Sequence, residues 1–204
     1  MKIITLATTN PHKQQELIEI LHEILDLGKK EIFVRTLAEL SEEIRSQYNP
    51  QEIYPTLMQN AYAKAQNLYR LVRSPVLAED SGLFVEALQG RPGVLSARYA
   101  ASDEEKIVKL LAELRGLKNR RAVFATTLCF FDEHGHAIFF NGRIQGNIAE
   151  EAMGVGGFGY DPVFIPDGSS LSYAQMSKDK KNQISQRRRA LELFGNYLKK
   201  FLQY

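Results

Sequence analysis

The sequence predicts an α/β fold with some α+β character, built on a mixed sheet with a cleft between lobes. Three observations predict it. The chain opens as strand, tight turn and helix; strand and helix periodicities alternate through the first half; and two strand-like runs joined by a short turn follow in the middle.

Each element follows from local pattern. "KIITLA" is a run of β-branched and aliphatic residues that reads as a buried strand, and "TTNP" ends it at once. In "PHKQQELIEILHEIL", Leu17, Ile20/Leu21 and Ile24/Leu25 keep the spacing of one helical face, with Asn10 as the cap and Pro11 in the first turn. "EIFVRTL" reads as a second strand, and the polar stretch from Ser41 to Gln51 as a connecting loop. After Pro55, the residues Leu57, Ala61, Ala65, Leu68 and Val72 predict a second helix, which Pro75 breaks before "VLA" begins another strand. "SDEEKIVKLLAELRG" opens with a capping box of Ser102 and Glu105, and Gly116 closes its helix. "AVFATTLCFF" and "HAIFF" are strands joined by the hairpin turn "DEHG". "GVGGFGYDPVFIP" is a glycine-rich loop running into a strand, and the last helix carries Leu191, Phe194, Leu198 and Phe201/Leu202 on one face.

With 204 residues, 44% of them apolar, the chain can build one globular unit with a sizeable core. Lys and Arg number 26 against 24 Asp and Glu, too close to balance for a protein that wraps a nucleic-acid polymer or coats an anionic membrane. Any basic patch is therefore local. The one cysteine, Cys129, lies in a strand-like run and reads as a small buried apolar side chain. The opening apolar run is too short and wrongly flanked for a signal peptide or spanning helix, so a reducing, cytoplasmic location is expected.

Four stretches carry chemistry. Lys13 and His12 stand in the first turn of the first helix, where the macrodipole disfavours a cation unless an anion binds. Either Thr8, Thr9 and Asn10 form a phosphate cradle completed by Lys13, or Lys13 is a solvated lysine near a helix end. Glu79 and Asp80 follow "VLA" where a strand emerges, and two adjacent carboxylates repel unless a divalent cation or shared proton offsets the cost. Successive strand residues point to opposite faces, so the two acids can meet different partners. Magnesium would suit them, and an Asx-type turn over Asp80, Ser81 and Gly82 is the alternative. Arg98, after a sharp loop at Gly90, Pro92 and Gly93, either binds phosphate or pairs with Glu79 or Asp80.

The other two stretches come later in the chain. From Gly156 to Pro162, three glycines surround Phe158, offering either a stacking face for a flat ligand or a structural turn with a core Phe; Pro162 biases Asp161 to extended geometry. "KDKKNQISQRRR" is either a solvated helix face or, with Ser185 as an N-cap, a site where Lys181, Gln186 and Arg187 close over an anion. His134 and His136 read as exposed turn residues, and no Ser-His-Asp or Cys-His arrangement can be argued from the sequence.

Together, "LATTNPHKQQEL", "LAEDSGLFVEALQGRPGVLSARYA", "GGFGYDPVF" and "KKNQISQRRRAL", in that order and spanning nearly the whole chain, resemble the Ham1-like or inosine triphosphate pyrophosphatase family. The resemblance implies a single domain over residues 1–204 with an elongated mixed β-sheet flanked by helices, two lobes around a central nucleotide cleft, and a homodimer. It further implies Mg²⁺-dependent hydrolysis of ITP, dITP, XTP and dXTP to monophosphate and pyrophosphate. On the matching motifs, Thr8, Thr9, Asn10, Pro11, His12 and Lys13 would grip the triphosphate, Asp80 would hold magnesium and act catalytically, and Ser81 would touch substrate. Phe158, Gly159, Tyr160 and Asp161 would enclose the base, with Lys181, Gln186 and Arg187 completing the pocket. Glu52 matches the second metal ligand, with Glu43 the alternative. The chain departs from the family at Thr9 for a glycine, Glu79 for an aspartate and Gln186 for a histidine; Gln keeps two donors and an acceptor while losing a titratable group.

A cleft with Lys13, Lys181, Arg187 and magnesium would neutralise a triphosphate, and no covalent nucleophile is needed. Two competing readings are a binding module without catalysis, a nucleotide sensor or RNA-binding protein using the basic run and Phe158, and a pyrophosphatase for pyrimidine or modified nucleotides. The carboxylate pair and balanced charge weigh against the first.

Overall fold

The computed structural model describes residues 2–25 and 32–201. The opening apolar run forms β1 (Lys2–Leu6), and Asn10 then caps α1 (Pro11–Leu25): its Oδ1 accepts from the backbone N–H of His12 at 3.0 Å and of Lys13 at 3.1 Å. β2 (Ile32–Arg35) pairs parallel with β1, in the register Ile4 to Val34. Thr56 caps α3 (Leu57–Val72), whose buried face is Leu57, Asn60, Ala61, Lys64, Ala65 and Leu68, and Arg73 ends it in a left-handed conformation. β3 (Val76–Val85) pairs parallel with β1 at Thr5 to Val76. β4 (Pro92–Gly93) pairs antiparallel with β3, and α4 (Asp103–Glu113) follows. The hairpin strands β5 (Arg121–Phe131) and β6 (Ala137–Ile148), then β7 (Phe164–Pro166), extend the sheet to the order β2-β1-β3-β5-β6-β7, with β4 on β3. The sheet is mixed, and the fold is α/β as the alternation predicts.

The chain divides into two compact units. The first comprises Met1–Asp80, Thr126–Gly142 and Arg187–Tyr204; the second, Ser81–Ala125 and Arg143–Gln186. In the first, strand alternation builds two cores, one on each face of the sheet. Leu77, Leu128 and Phe130 pack with Leu17, Ile20 and Leu21 of α1 and with Leu191, Phe194 and Leu198 of the C-terminal helix. Their strand neighbours Val76, Ala78, Cys129 and Phe131 pack with Ala61, Ala65 and Leu68 of α3. Cys129 is buried there, and burial pushes its thiol up to about 12. The second unit has its own core, where Leu83, Val85, Leu110, Ile144, Tyr160, Phe164 and Tyr173 meet.

The structure differs from the local reading in four places. The stretch expected as a loop contains α2 (Glu42–Gln47), capped by Ser41; it buries no residue, so it leaves no apolar period to read. β3 does not end at Asp80 but runs five residues further, because Leu83 and Val85 bury and Leu83 pairs with Gly93. In the capping box, Ser102 accepts from Glu105 N–H as expected, but the Glu105 carboxylate accepts from Ala101 N–H rather than from Ser102. The basic run is two helices, α5 (Lys178–Ile184), capped by Ser177, and α6 (Gln186–Phe201), separated by the extended Ser185. Glu31 and Leu202, expected in the second strand and on the last helical face, lie outside the described residues.

Candidate active site

β3 delivers Glu79 and Asp80 to opposite faces of the first unit's sheet, and each meets a different set of cations. Glu79, on the face of α1 and α6, accepts from Arg187 through both carboxylate oxygens, at 2.6 Å from Nε and 2.7 Å from Nη2. The third guanidinium nitrogen, Nη1, donates to Glu16 of α1. Lys13 Nζ stands 3.4 Å from Glu79 Oε1. Asp80, on the face of α3, accepts from Lys64 Nζ at 2.8 Å through Oδ1, while Oδ2 is buried with no hydrogen-bond partner. The same ammonium lies 2.8 Å from Glu52 Oε2 and 3.2 Å from the Glu79 carbonyl oxygen.

Buried Asn60 holds the segment that carries Glu52. Its side-chain amide accepts from Tyr54 N–H and donates to Tyr54 O, both at 3.1 Å. Glu43, the alternative to Glu52, lies exposed in the first turn of α2.

Burial and charge oppose each other here. Burial pulls the Lys13 ammonium below its ordinary pKa, with Glu79 acting against it. Burial also works against the charge of Lys64, yet Asp80 and Glu52 together hold its pKa above the ordinary value. The Asp80 carboxyl is raised by burial, opposed by Lys64 and Lys13. A buried acid and a lysine displaced from their usual ranges by both burial and named partners make Asp80 and Lys64 candidates for a functional site.

The first turn of α1 behaves differently from a bare phosphate cradle. Asn10 already occupies the N–H groups of His12 and Lys13, and Thr8 Oγ1 accepts from Asn10 N–H. Thr9, Asn10, Pro11 and His12 are exposed and Thr8 and Lys13 half-buried, so this end presents the dipole, hydroxyls and one ammonium.

In the second unit the glycine-rich loop is pinned throughout. Phe158 N–H donates to Asp161 Oδ2 at 2.9 Å, Gly159 N–H to Asp103 Oδ2 at 2.7 Å, and the Tyr160 hydroxyl to Ser96 O at 3.0 Å. The first two N–H groups are therefore engaged within the protein, and Tyr160 is a core residue. Lys181 Nζ lies 2.5 Å from Asp161 Oδ2 and 4.6 Å from the Phe158 ring centroid. Gln186 is 2% exposed, and its Oε1 has no partner. Ser81 is half-buried in β3, and Arg98 is exposed in a short 3-10 turn. His134 and His136 are exposed in the hairpin turn, tied to Asp132.

Arg187, expected in the binding pocket, has all three guanidinium nitrogens on buried carboxylates and braces Glu79 from below. Lys64 and Glu16 were not singled out by motif. Periodicity carried a signal for both: Lys64 stands three residues after Ala61 and four before Leu68, and Glu16 four before Ile20. A charged residue on an apolar helical stripe requires a buried partner.

A mixed sheet with helices on both faces of its first-unit part, whose strand β3 ends its first-unit segment on acids set among lysines beside a helix N-terminus, defines an α/β protein with a candidate anion site. The family model described as the Ham1 family matches residues 4–197, and the chain belongs to that family. A dITP/XTP pyrophosphatase of Porphyromonas gingivalis is 42% identical over 202 residues, covering 97% of this chain and 98% of that protein. One of Treponema denticola is 37% identical over 207 residues, covering 96% and 98%. Among solved structures, a Ham1 protein from Coxiella burnetii has a TM-score of 0.85 at 34% identity, covering 98% of this chain and 99% of that one. The Staphylococcus aureus Ham1 protein has a TM-score of 0.84 at 35% identity, covering 97% and 98%.

Proposed function

We propose that this protein hydrolyses non-canonical purine nucleoside triphosphates, namely ITP, dITP, XTP and dXTP, to the monophosphate and pyrophosphate, with Mg²⁺ as cofactor. The observation that carries this reading is the pair Asp80 and Glu52 gathered about one buried cation, with a second ammonium, Lys13, 3.4 Å from the adjacent acid of the strand, Glu79. The relatives named dITP/XTP pyrophosphatase support the substrate class.

The donor set suits magnesium. Asp80 Oδ2 is a buried oxygen lacking a partner, Glu52 supplies a second carboxylate, and magnesium needs only one or two carboxylates besides water and substrate phosphates. When bound, the ion would polarise phosphoryl oxygens and offset their charge.

The chain's own residues do the rest. Asp80 accepts a hydrogen bond from the attacking water and orients it toward the α-phosphorus. Lys13 and the N-terminus of α1, with Thr8 to His12 around them, meet the charge that develops on departing pyrophosphate. Ser81 touches the substrate. Arg187, itself held by Glu16, fixes Glu79, which holds Lys13 in place. In the second unit, the Phe158 ring and the pinned backbone through Gly159, Tyr160 and Asp161 form a stiff wall for a flat base, with Lys181 alongside. Gln186 Oε1 is an acceptor for a base N–H; a base that cannot supply one leaves it buried and unpaired, a cost of about 1–3 kcal/mol. The protein acts as a homodimer in the cytoplasm on free nucleotides; the balanced charge supports the absence of a polymeric nucleic-acid or membrane partner.

Pyrophosphate release measured over ITP, XTP, dITP, ATP, GTP and pyrimidine triphosphates, with Mg²⁺ and with chelator, tests the proposal. Rapid release from ITP and XTP with Mg²⁺ alone is the expected result. Equal rates on ATP would overturn the base assignment, and release unaffected by chelator would overturn the cofactor.

A further inference from the structure

Lys64 occupies an unusual position for a buried ammonium. It projects from the apolar face of α3, between Ala61 and Leu68, with its side chain 10% exposed. Its Nζ has three oxygen acceptors: Asp80 Oδ1 at 2.8 Å, Glu52 Oε2 at 2.8 Å and Glu79 O at 3.2 Å. A lysine ammonium carries three N–H donors, so these oxygens satisfy it fully. Two of the three are the carboxylates that the proposed function gives to the metal.

A compact cation in contact with one oxygen from each of two carboxylates does electrostatically what a shared divalent ion does: it cancels their mutual repulsion in a low-dielectric setting. Magnesium bonds its oxygens at 2.0–2.1 Å, so an ion ligated by Asp80 and Glu52 would press against an ammonium still seated between them. The two cations compete for the same charge. The partnerless Oδ2 of Asp80 shows that the ammonium satisfies only half of that carboxylate, leaving one oxygen on which an entering ion can first land.

We infer that Lys64 is a built-in surrogate for the divalent cation, holding the Asp80 and Glu52 carboxylates together in the metal-free protein and withdrawing from them when the ion enters. The inference rests on the assignment of these two carboxylates to the metal. Lys64 is then a positioning residue with a cost attached: it keeps the site assembled before the ion arrives, and it weakens the ion's binding by the work of dislodging it. The Glu79 carbonyl oxygen, which belongs to the main chain of β3, remains its anchor after release.

Removing the ammonium tightens metal binding, because the metal-free state loses the cation that stabilised it. The test is a titration of the intact protein with Mn²⁺, followed by the electron paramagnetic resonance signal of the free ion. K64M is expected to bind Mn²⁺ at least tenfold more tightly than the unmodified protein. K64R, which keeps the charge, is expected to bind no more tightly. In chelator, the melting temperature of K64M falls below that of the unmodified protein, and Mn²⁺ closes the gap. K64Q is read in the same way should K64M fail to fold. Equal or weaker binding by both K64M and K64Q, or equal tightening in K64R, overturns the surrogate role. D80N separates this from failure of the metal site itself: loss of binding in D80N with no gain in K64M leaves the site and removes the surrogate, whereas absence of binding in every protein removes both.

Discussion

At the scale of single residues, the first unit is organised by which acid faces which cation. Glu79 is held bidentately by Arg187, and both side chains are almost fully buried. Breaking such a pair from one side strands a charge in the interior. Arg187→Met is therefore expected to destabilise the protein by about 3–5 kcal/mol in denaturant unfolding, whereas its direct effect on the reacting phosphate should be small. Asp80 is the opposite case, since one of its oxygens has no partner to lose. Asp80→Asn should lower kcat by orders of magnitude and move the melting temperature by only a few degrees, as read by pyrophosphate release and thermal unfolding. The adjacency of these acids is legible in the sequence, and so is their divergence to opposite faces, because the strand period is two. Their partners were not: Lys64, Glu16 and Arg187 lie 16, 63 and 108 residues from the acid each one serves or shares, and only the packed helices bring them in.

At the scale of elements, caps and close approaches decide the geometry. The 3-10 turn Leu37–Glu39 is closed by Glu39, whose carboxylate accepts from the Thr36 N–H and hydroxyl, both at 2.8 Å. The Thr36 N–H, and then its hydroxyl, hold the Glu39 pKa below the ordinary 4.5. A depressed acid stabilises the fold above its unfolded pKa, and that contribution is lost as pH falls through the folded value. Glu39→Gln should thus lower stability at pH 7 and make no difference once both proteins are measured well below pH 4.5. Gly82, in β3, faces β4 so closely that an added Cβ would lie 2.4 Å from Gly93 O. Gly82→Ala is expected to cost about 1–3 kcal/mol by forcing the two strands apart, as measured by chemical unfolding. Gly157 has φ +72°, and a Cβ there would meet the Asp161 carboxylate, so glycine is what lets the loop fold back onto its own acid. Helices with an apolar face were readable from spacing, whereas α2, which buries nothing, and the break at Ser185 within a run whose one apolar residue is Ile184 were not.

At the scale of the whole molecule, the proposed homodimer is open to direct measurement: light scattering behind size exclusion should return twice the 23.2 kDa chain mass. By itself the sequence determined the α/β class, the order of strands and helices that bury a face, the capping of α1 by Asn10 and the four motifs of the family, because each is written in residues a few positions apart. Only the tertiary structure decided that Arg187 braces Glu79, that Phe158 and Gly159 have engaged N–H groups, and that Lys64 stands between Asp80 and Glu52. The physical reason is range. Periodicity and capping are local energies that a short window reveals, while the pairing of buried charges is chosen by whichever elements the core packs together, and no spacing along the chain encodes that choice.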